Sequence, residues 1–231
     1  SRGNLATIGV HEIAHQWFGN HATEKSFAHL WLSEGFATYF THMYLESRYG
    51  NDSLRKRMQQ DREEVLEFVR SSKRPVVDST TDYMQLLNTN SYQKGSWILH
   101  MLRCELGNSV FQNCIREYYL QYGGKNADSK DLQRVFERVS GKNLQTFFTQ
   151  WLHYPVNPAL KMTWQYLPGE NRIRIIVQQL QKSPAFTFPL DVAIYYPDGF
   201  VETRKLEIFG VRHEITLALK ANQKPKELII D

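Results

Sequence analysis

The chain has 231 residues, 42% of them hydrophobic, and a formal net charge of +4. That is enough apolar material for one or two cores. The charge is mild and no lysine-arginine cluster interleaves with aromatics, which argues against a nucleic-acid partner. No apolar run approaches the ~18 residues a bilayer span requires.

From Leu5 to about Leu152 the apolar period is helical, interrupted by glycines at 19, 50, 107, 123 and 141, where helices stop. The first helix carries VHEIAHQWFG, Val10 to Gly19. At about 100° per residue, His11 and His15 leave one face a turn apart, so two imidazoles can close on one metal ion. Glu12 is rotated about 100° away. It flanks the ion rather than ligating it, placed to take a proton from a water held there, the spacing that metalloproteases use.

A hydrolytic zinc has three protein ligands and an open fourth position, so a third donor is required. Glu34, in LWLSEGFATYF, is the candidate, with eighteen residues between it and His15. A loop from Gly19 to about His29 lets its helix run back across the first. His21 and His29 fall in that loop and are read as surface residues. The stretch Ser53 to Ser71 is charged on one side and apolar on the other, as expected of a solvated helix over a core.

A loop from Pro75 to Asn90 leads into Tyr92. Taken alone, Tyr92 is most simply a core or boundary residue, one of 12 tyrosines. Helices follow at about Tyr92 to Leu106, Ser109 to Tyr122 and Ser129 to Val139, with a last turn or two from Leu144 to Leu152. His42, His100 and His153 have no paired donor at i+4 and are read as structural. Cys104 and Cys114 are read as two buried thiols, a bridge between them being the alternative; they lack the paired spacing of a second zinc site.

After Tyr154, prolines 155 and 158 break the helical run and the period becomes two. RIRIIVQQ, FPLDVAIYY and HEITLAL alternate, with turn signals at PGEN and PDG, which predicts six short strands in an antiparallel sandwich. His213, in one of these strands, is expected to face solvent. The boundary divides the chain into a helical domain at 1–154 and a β domain at 155–231.

The succession HEIAHQWFGN, WLSEGFATYF, SYQKGSWILHML resembles the gluzincin zinc aminopeptidases grouped with aminopeptidase N and leukotriene hydrolase, over about Ile8 to Leu152. The resemblance implies a mostly α, thermolysin-like catalytic domain followed by a small all-β sandwich that acts as a spacer or brace. It implies one zinc ion held by His11, His15 and Glu34, with Glu12 as general base. Tyr92, in Tyr-x-Lys-Gly, is similar to the tyrosine that hydrogen-bonds the tetrahedral oxyanion. The implied activity is removal of N-terminal residues from peptide substrates.

Two departures from the family pattern stand out. Ser33 replaces the usual asparagine before the third ligand; a residue there can fix a ligand histidine through its second ring nitrogen, and serine has the shorter reach. Thr38 is a further candidate for such support, and Ser26 to His29 replaces an aromatic-acidic run. The family's Gly-x-Met-Glu-Asn segment, which grips the substrate amine, has no counterpart, so an N-terminal part of the parent chain is expected to be missing. Two alternatives follow: a thermolysin-type endopeptidase, or, for this segment alone, a zinc-binding scaffold without useful turnover.

Overall fold

The computed structural model describes residues 2–80, 82–182 and 184–230, with side chains from Thr7 onward. It divides into two compact units, Ser1–Val156 and Asn157–Asp231. The first is built on helices α1 (Arg2–His15), α2 (Trp31–Tyr49), α3 (Asn51–Ser71), α4 (Gly95–Leu106), α5 (Asn108–Tyr122), α6 (Ser129–Ser140) and α7 (Gln145–His153). Among the described residues, no helix is long and apolar enough to cross a membrane.

Helix α2 is the centre of this unit. Its apolar face buries Trp31, Phe36 and Tyr39 against Ile98, Leu99 and Leu102 of α4, all fully excluded from solvent. Each such side chain contributes about 1.5–3 kcal/mol over its exposed state. Helix α3 keeps its charged face in water and inserts Leu54, Met58 and Val65. Helix α6 begins at a capping box in which Asp128 and Asp131 each accept the other's backbone N–H. It stops at Gly141, whose φ of 69° suits a residue without Cβ.

The all-helical reading of this unit needs one correction. Strand β1 (Ala22–Glu24) lies in the expected loop and pairs in parallel with β2 (Lys125–Ala127), a hundred residues on. Two segments of three residues are too short to show a period-two pattern, so nothing in their sequence marks them.

The histidines and cysteines are also sorted by this packing. His29 is half-buried rather than on the surface, its Nδ1 2.8 Å from Ser129 Oγ, which also accepts from Trp31 Nε1 at 2.8 Å. His21 is exposed and bonds Tyr119 at 2.8 Å. His42 is buried, 2.8 Å from Asp61. Cys104 and Cys114 are not bridged to each other, and Cys104 is exposed while only Cys114 is buried; residue 104 falls on the wetter side of α4, which the helical period alone did not distinguish.

His100 lies between α2 and α4, its Nδ1 3.0 Å from the Tyr39 hydroxyl. Burial, reinforced by the Arg103 guanidinium, pushes its pKa down to about 4. The unfolded chain therefore takes up a proton first, and stability present above about pH 6.5 is lost as pH falls towards 4. We expect this residue to remove at most about 3 kcal/mol over that window. Urea denaturation at pH 7.5 and 4.5 checks this: His100→Gln should show a smaller loss than the parent chain, and an equal loss would contradict it.

The second unit is a sandwich of two three-stranded antiparallel sheets. β3 (Leu160–Leu167), β4 (Arg172–Gln179) and β7 (Arg212–Ala218) form one, in the order β3-β4-β7. β5 (Phe188–Tyr195), β6 (Val201–Ile208) and β8 (Glu227–Ile230) form the other, in the order β6-β5-β8. Alternation puts Ile173, Ile175 and Val177 of β4 inside, against Leu190, Val192 and Ile194 of β5. His213 is half-buried, its ring 4.0 Å from that of Phe209.

Candidate metal centre

Helix α1 presents His11 and His15 on one face, with ring centroids 4.7 Å apart and planes at 85°. Glu34, in the first turn of α2, meets them. His11 Nε2 and His15 Nε2 are 3.1 Å apart, and Glu34 Oε2 is 3.3 Å from the first and 3.2 Å from the second. Among the described residues this is the one group of three or more histidine, cysteine or acidic side chains placed to hold an ion.

The tautomer of His15 follows from its other nitrogen. Nδ1 is 3.1 Å from the Phe18 carbonyl, which can only accept, so Nδ1 carries the hydrogen and Nε2 presents a lone pair. That lone pair faces a carboxylate oxygen and a second imidazole nitrogen. Electron-rich atoms at this separation repel one another unless a cation or protons lie among them. The protonation tendencies show the same demand. Burial works to raise the Glu34 pKa, but donation from the His11 and His15 rings, which for His15 requires a proton on Nε2, outweighs it and holds the carboxyl at about 2. The hydrogen bond to Glu34 raises that of His15. Two imidazoles and a carboxylate with a fourth side open are the donor set of a tetrahedral, borderline-soft cation.

Ser33 does not support a ligand histidine. Its hydroxyl donates to Glu24 of β1, and the Phe18 carbonyl does the work assigned to it on the sequence. The reason lies in the turn after α1. Gly19 has a φ of 122°, and a Cβ there would stand 3.0 Å from His15 Nδ1 and 3.4 Å from Ser33 Oγ, so the chain passes close beside the ring only because residue 19 is glycine.

Tyr92 reaches the same place from the other side. Its ring stacks on His11 with centroids 6.2 Å apart and planes at 16°. Burial, followed by the negative charge of Glu34 and then Glu12, pushes its pKa up to about 12, so the phenol keeps its proton and remains a donor. Glu12 is exposed to solvent, and its charge acts on both His15 and Tyr92. His11, His15, Glu34 and Tyr92 therefore meet in one region, and the charge of Glu12 acts on it.

Two features that place Tyr92 were not anticipated. It sits in a π-helical turn, Asn90–Lys94, where the Lys94 N–H bonds the Thr89 carbonyl at 2.9 Å, so the expected α-helix begins only at Gly95. Single π turns re-aim a side chain within an otherwise regular run. Helices α2 and α4 also touch through backbone: a Cβ on Gly35 would lie 2.9 Å from the Gly95 backbone and 3.2 Å from the Ser91 carbonyl oxygen. The glycines after Glu34 and Tyr92 in SEGF and YQKG were the available signal.

This close approach carries a prediction. Gly95→Ala must push α4 off α2, at a cost of about 1–3 kcal/mol in stability. It also shifts Tyr92 relative to Glu34, and a misplacement of about 1 Å costs about 100-fold in turnover. Thermal denaturation and steady-state kinetics of the full-length protein check both; a variant with unchanged melting temperature and turnover would refute the role of the contact.

Comparison with known proteins gives a consistent set of matches. The model of the peptidase family M1 domain matches residues 1–151. Aminopeptidase M1-C of Oryza sativa subsp. japonica is 33% identical over 160 residues, covering 66% of this chain and 18% of that protein. The puromycin-sensitive aminopeptidase of Caenorhabditis elegans is 28% identical over 225 residues, covering 89% of this chain and 23% of that one. The chain thus spans about a fifth of the length of these relatives. In fold, it superposes on Legionella pneumophila aminopeptidase A with a TM-score of 0.80 at 19% identity, covering 97% of this chain and 25% of that one. An M1 zinc metallopeptidase from Deinococcus radiodurans gives 0.57 at 25% identity, covering 66% and 34%.

Proposed function

The chain belongs to peptidase family M1, and from that premise we propose that it carries the zinc-binding, bond-cleaving part of an aminopeptidase that removes N-terminal residues from peptides. In this reading residues 1–154 form the catalytic part and 155–231 a brace. The observation that supports it most strongly is the meeting of His11 Nε2, His15 Nε2 and Glu34 Oε2 within 3.1–3.3 Å of one another, with Tyr92 stacked on His11. These three donors would hold one zinc ion. When bound, zinc supplies Lewis acidity, which brings a water's pKa towards neutrality and withdraws electron density from a carbonyl oxygen.

The remaining work falls to the chain's own groups. The Phe18 carbonyl holds the His15 ring in the tautomer that leaves Nε2 free. The Glu12 carboxylate accepts a proton from the attacking water as its oxygen bonds to the peptide carbon. The same carboxyl returns that proton to the amide nitrogen as the carbon–nitrogen bond breaks and the amine departs. The Tyr92 hydroxyl donates to the carbonyl oxygen as that atom gains negative charge, an interaction stronger in the transition state than in the bound substrate.

The test compares hydrolysis of leucine anilide with its N-acetylated form by the full-length protein. Cleavage confined to the free-amine substrate supports the aminopeptidase reading. Cleavage of internal bonds in longer, N-blocked peptides would replace it with a thermolysin-type endopeptidase, and zinc binding without cleavage of any of these would leave a scaffold.

A further inference from the structure

Lys94 follows Tyr92 by two residues in the π turn, and it is the one buried lysine among the described residues, 3% exposed. A lysine inside a protein is ordinarily paired. Among the described residues, Lys94 Nζ has no hydrogen-bond partner, and burial pushes its pKa down to about 8. A hydrophobic side chain of the same size would cost the fold less, so packing does not account for a lysine here.

An unmatched acceptor stands on the same turn. Asn90 is buried, and its Oδ1 also has no partner among the described residues. The turn is closed by bonds of the wide, i→i+5 kind, from the Lys94 N–H to the Thr89 carbonyl and from the Gly95 N–H to the Asn90 carbonyl. Residues four apart in such a turn share a face. A buried donor and a buried acceptor therefore lie about one turn apart, and leaving either unmade is destabilising. The other end of the Asn90 amide is fixed: Nδ2 donates to the Arg74 carbonyl at 2.8 Å and the Pro75 carbonyl at 3.3 Å. That segment is held in turn by Val76 and Val77, whose N–H groups both donate to the Leu152 carbonyl at 3.0 Å. Asn90 is thus an anchored post at the start of the turn, Lys94 is its last residue, and Tyr92 lies midway with its ring stacked on His11.

We propose that Lys94 is a positioning residue: its Nζ donates to Asn90 Oδ1, directly or through one enclosed water, and this link holds the π turn in the form that aims Tyr92 over His11. At 3% exposure Lys94 is closed off from substrate, so its influence on turnover passes through Tyr92. The kinetic consequence rests on the aminopeptidase reading and the Tyr92 role above, whereas the placement of the ring does not.

The test is a double-mutant cycle in the full-length protein with leucine anilide as substrate. Lys94→Met keeps the length of the side chain and removes the donor and its charge. It should lower kcat about 10- to 100-fold with KM changed by about twofold or less. In a Tyr92→Phe background the same change should have no further effect on kcat, because the hydroxyl being aimed is already gone. A lysine that only supported the fold would cost the same factor in both backgrounds, and that result overturns the proposal. An unchanged kcat in the Tyr92 background, or a Lys94→Met protein that does not fold, overturns it too. If the parent protein does not cleave leucine anilide, or Tyr92→Phe leaves kcat unaltered, the functional reading fails on its own. Fluorine NMR of the protein carrying 3-fluorotyrosine at position 92 then decides the positioning: a resonance displaced or broadened by Lys94→Met supports it, and a superimposable spectrum overturns it.

Discussion

Glu12→Gln is expected to lower the turnover of the full-length protein by about 100- to 10,000-fold while leaving its zinc content unchanged. The separation of the two effects follows from the helix. Glu12 is one residue from His11, so it leaves α1 in a different direction from His11 and His15, and it is absent from the group of atoms that meet within metal-binding distance. Glutamine keeps the size and the polarity of the side chain but cannot accept the water's proton and later release it. Metal analysis should therefore return the same zinc content in both proteins, and the circular dichroism spectra should coincide. A glutamine variant with turnover close to the parent's would remove Glu12 from the mechanism, and one that lost zinc would make it a ligand.

Tyr92→Phe should cost about 100- to 1000-fold in kcat with little change in substrate affinity. The phenol keeps its proton throughout the ordinary pH range, because burial and the neighbouring Glu34 and Glu12 carboxylates push its pKa up to about 12. In the proposed mechanism it donates to an oxygen that becomes charged only on the way to the tetrahedral state, which is why the loss should appear in kcat and in kcat/KM alike. Phenylalanine retains the ring that stacks on His11, so the packing of that face is preserved. A variant with an unchanged kcat and a raised KM would assign Tyr92 to substrate binding instead.

The two variants differ in what they say about preorganisation. Glu12 stands on the same helix as His11 and His15, and its place depends on little besides helical geometry. Tyr92 depends on a π turn and on two helices touching at Gly35 and Gly95. Gly95→Ala should therefore resemble Tyr92→Phe in its kinetics while adding a loss of stability that Tyr92→Phe lacks. That contrast distinguishes a displaced donor from a deleted one.

Much of the candidate site could be read from the chain because its parts are local. His11 and His15 share a face because four residues make about one helical turn. Glu34 opens the next amphipathic segment, and Tyr92 is marked by the residues around it. The six strands of the second unit announce themselves by alternation, since a period of two in RIRIIVQQ or HEITLAL has no helical equivalent. These are patterns within a single segment, and one segment contains all the information they need.

Other features were decided only when distant segments met. The support of His15 passed from Ser33 to the Phe18 carbonyl because Gly19 lets the chain turn back beside the ring, while Ser33 was taken by Glu24 of β1. β1 itself exists because it finds β2 a hundred residues later. His29 and Cys104 exchanged their expected exposures for the same reason, since burial is settled by the neighbour that covers a face and not by the face. The sequence by itself marked the candidate groups for binding a metal and moving a proton, and where the chain changes from helix to strand. The tertiary structure alone decided their separation and their supports, because backbone carbonyls, glycine contacts and three-residue strands act between segments and leave no periodic trace within one.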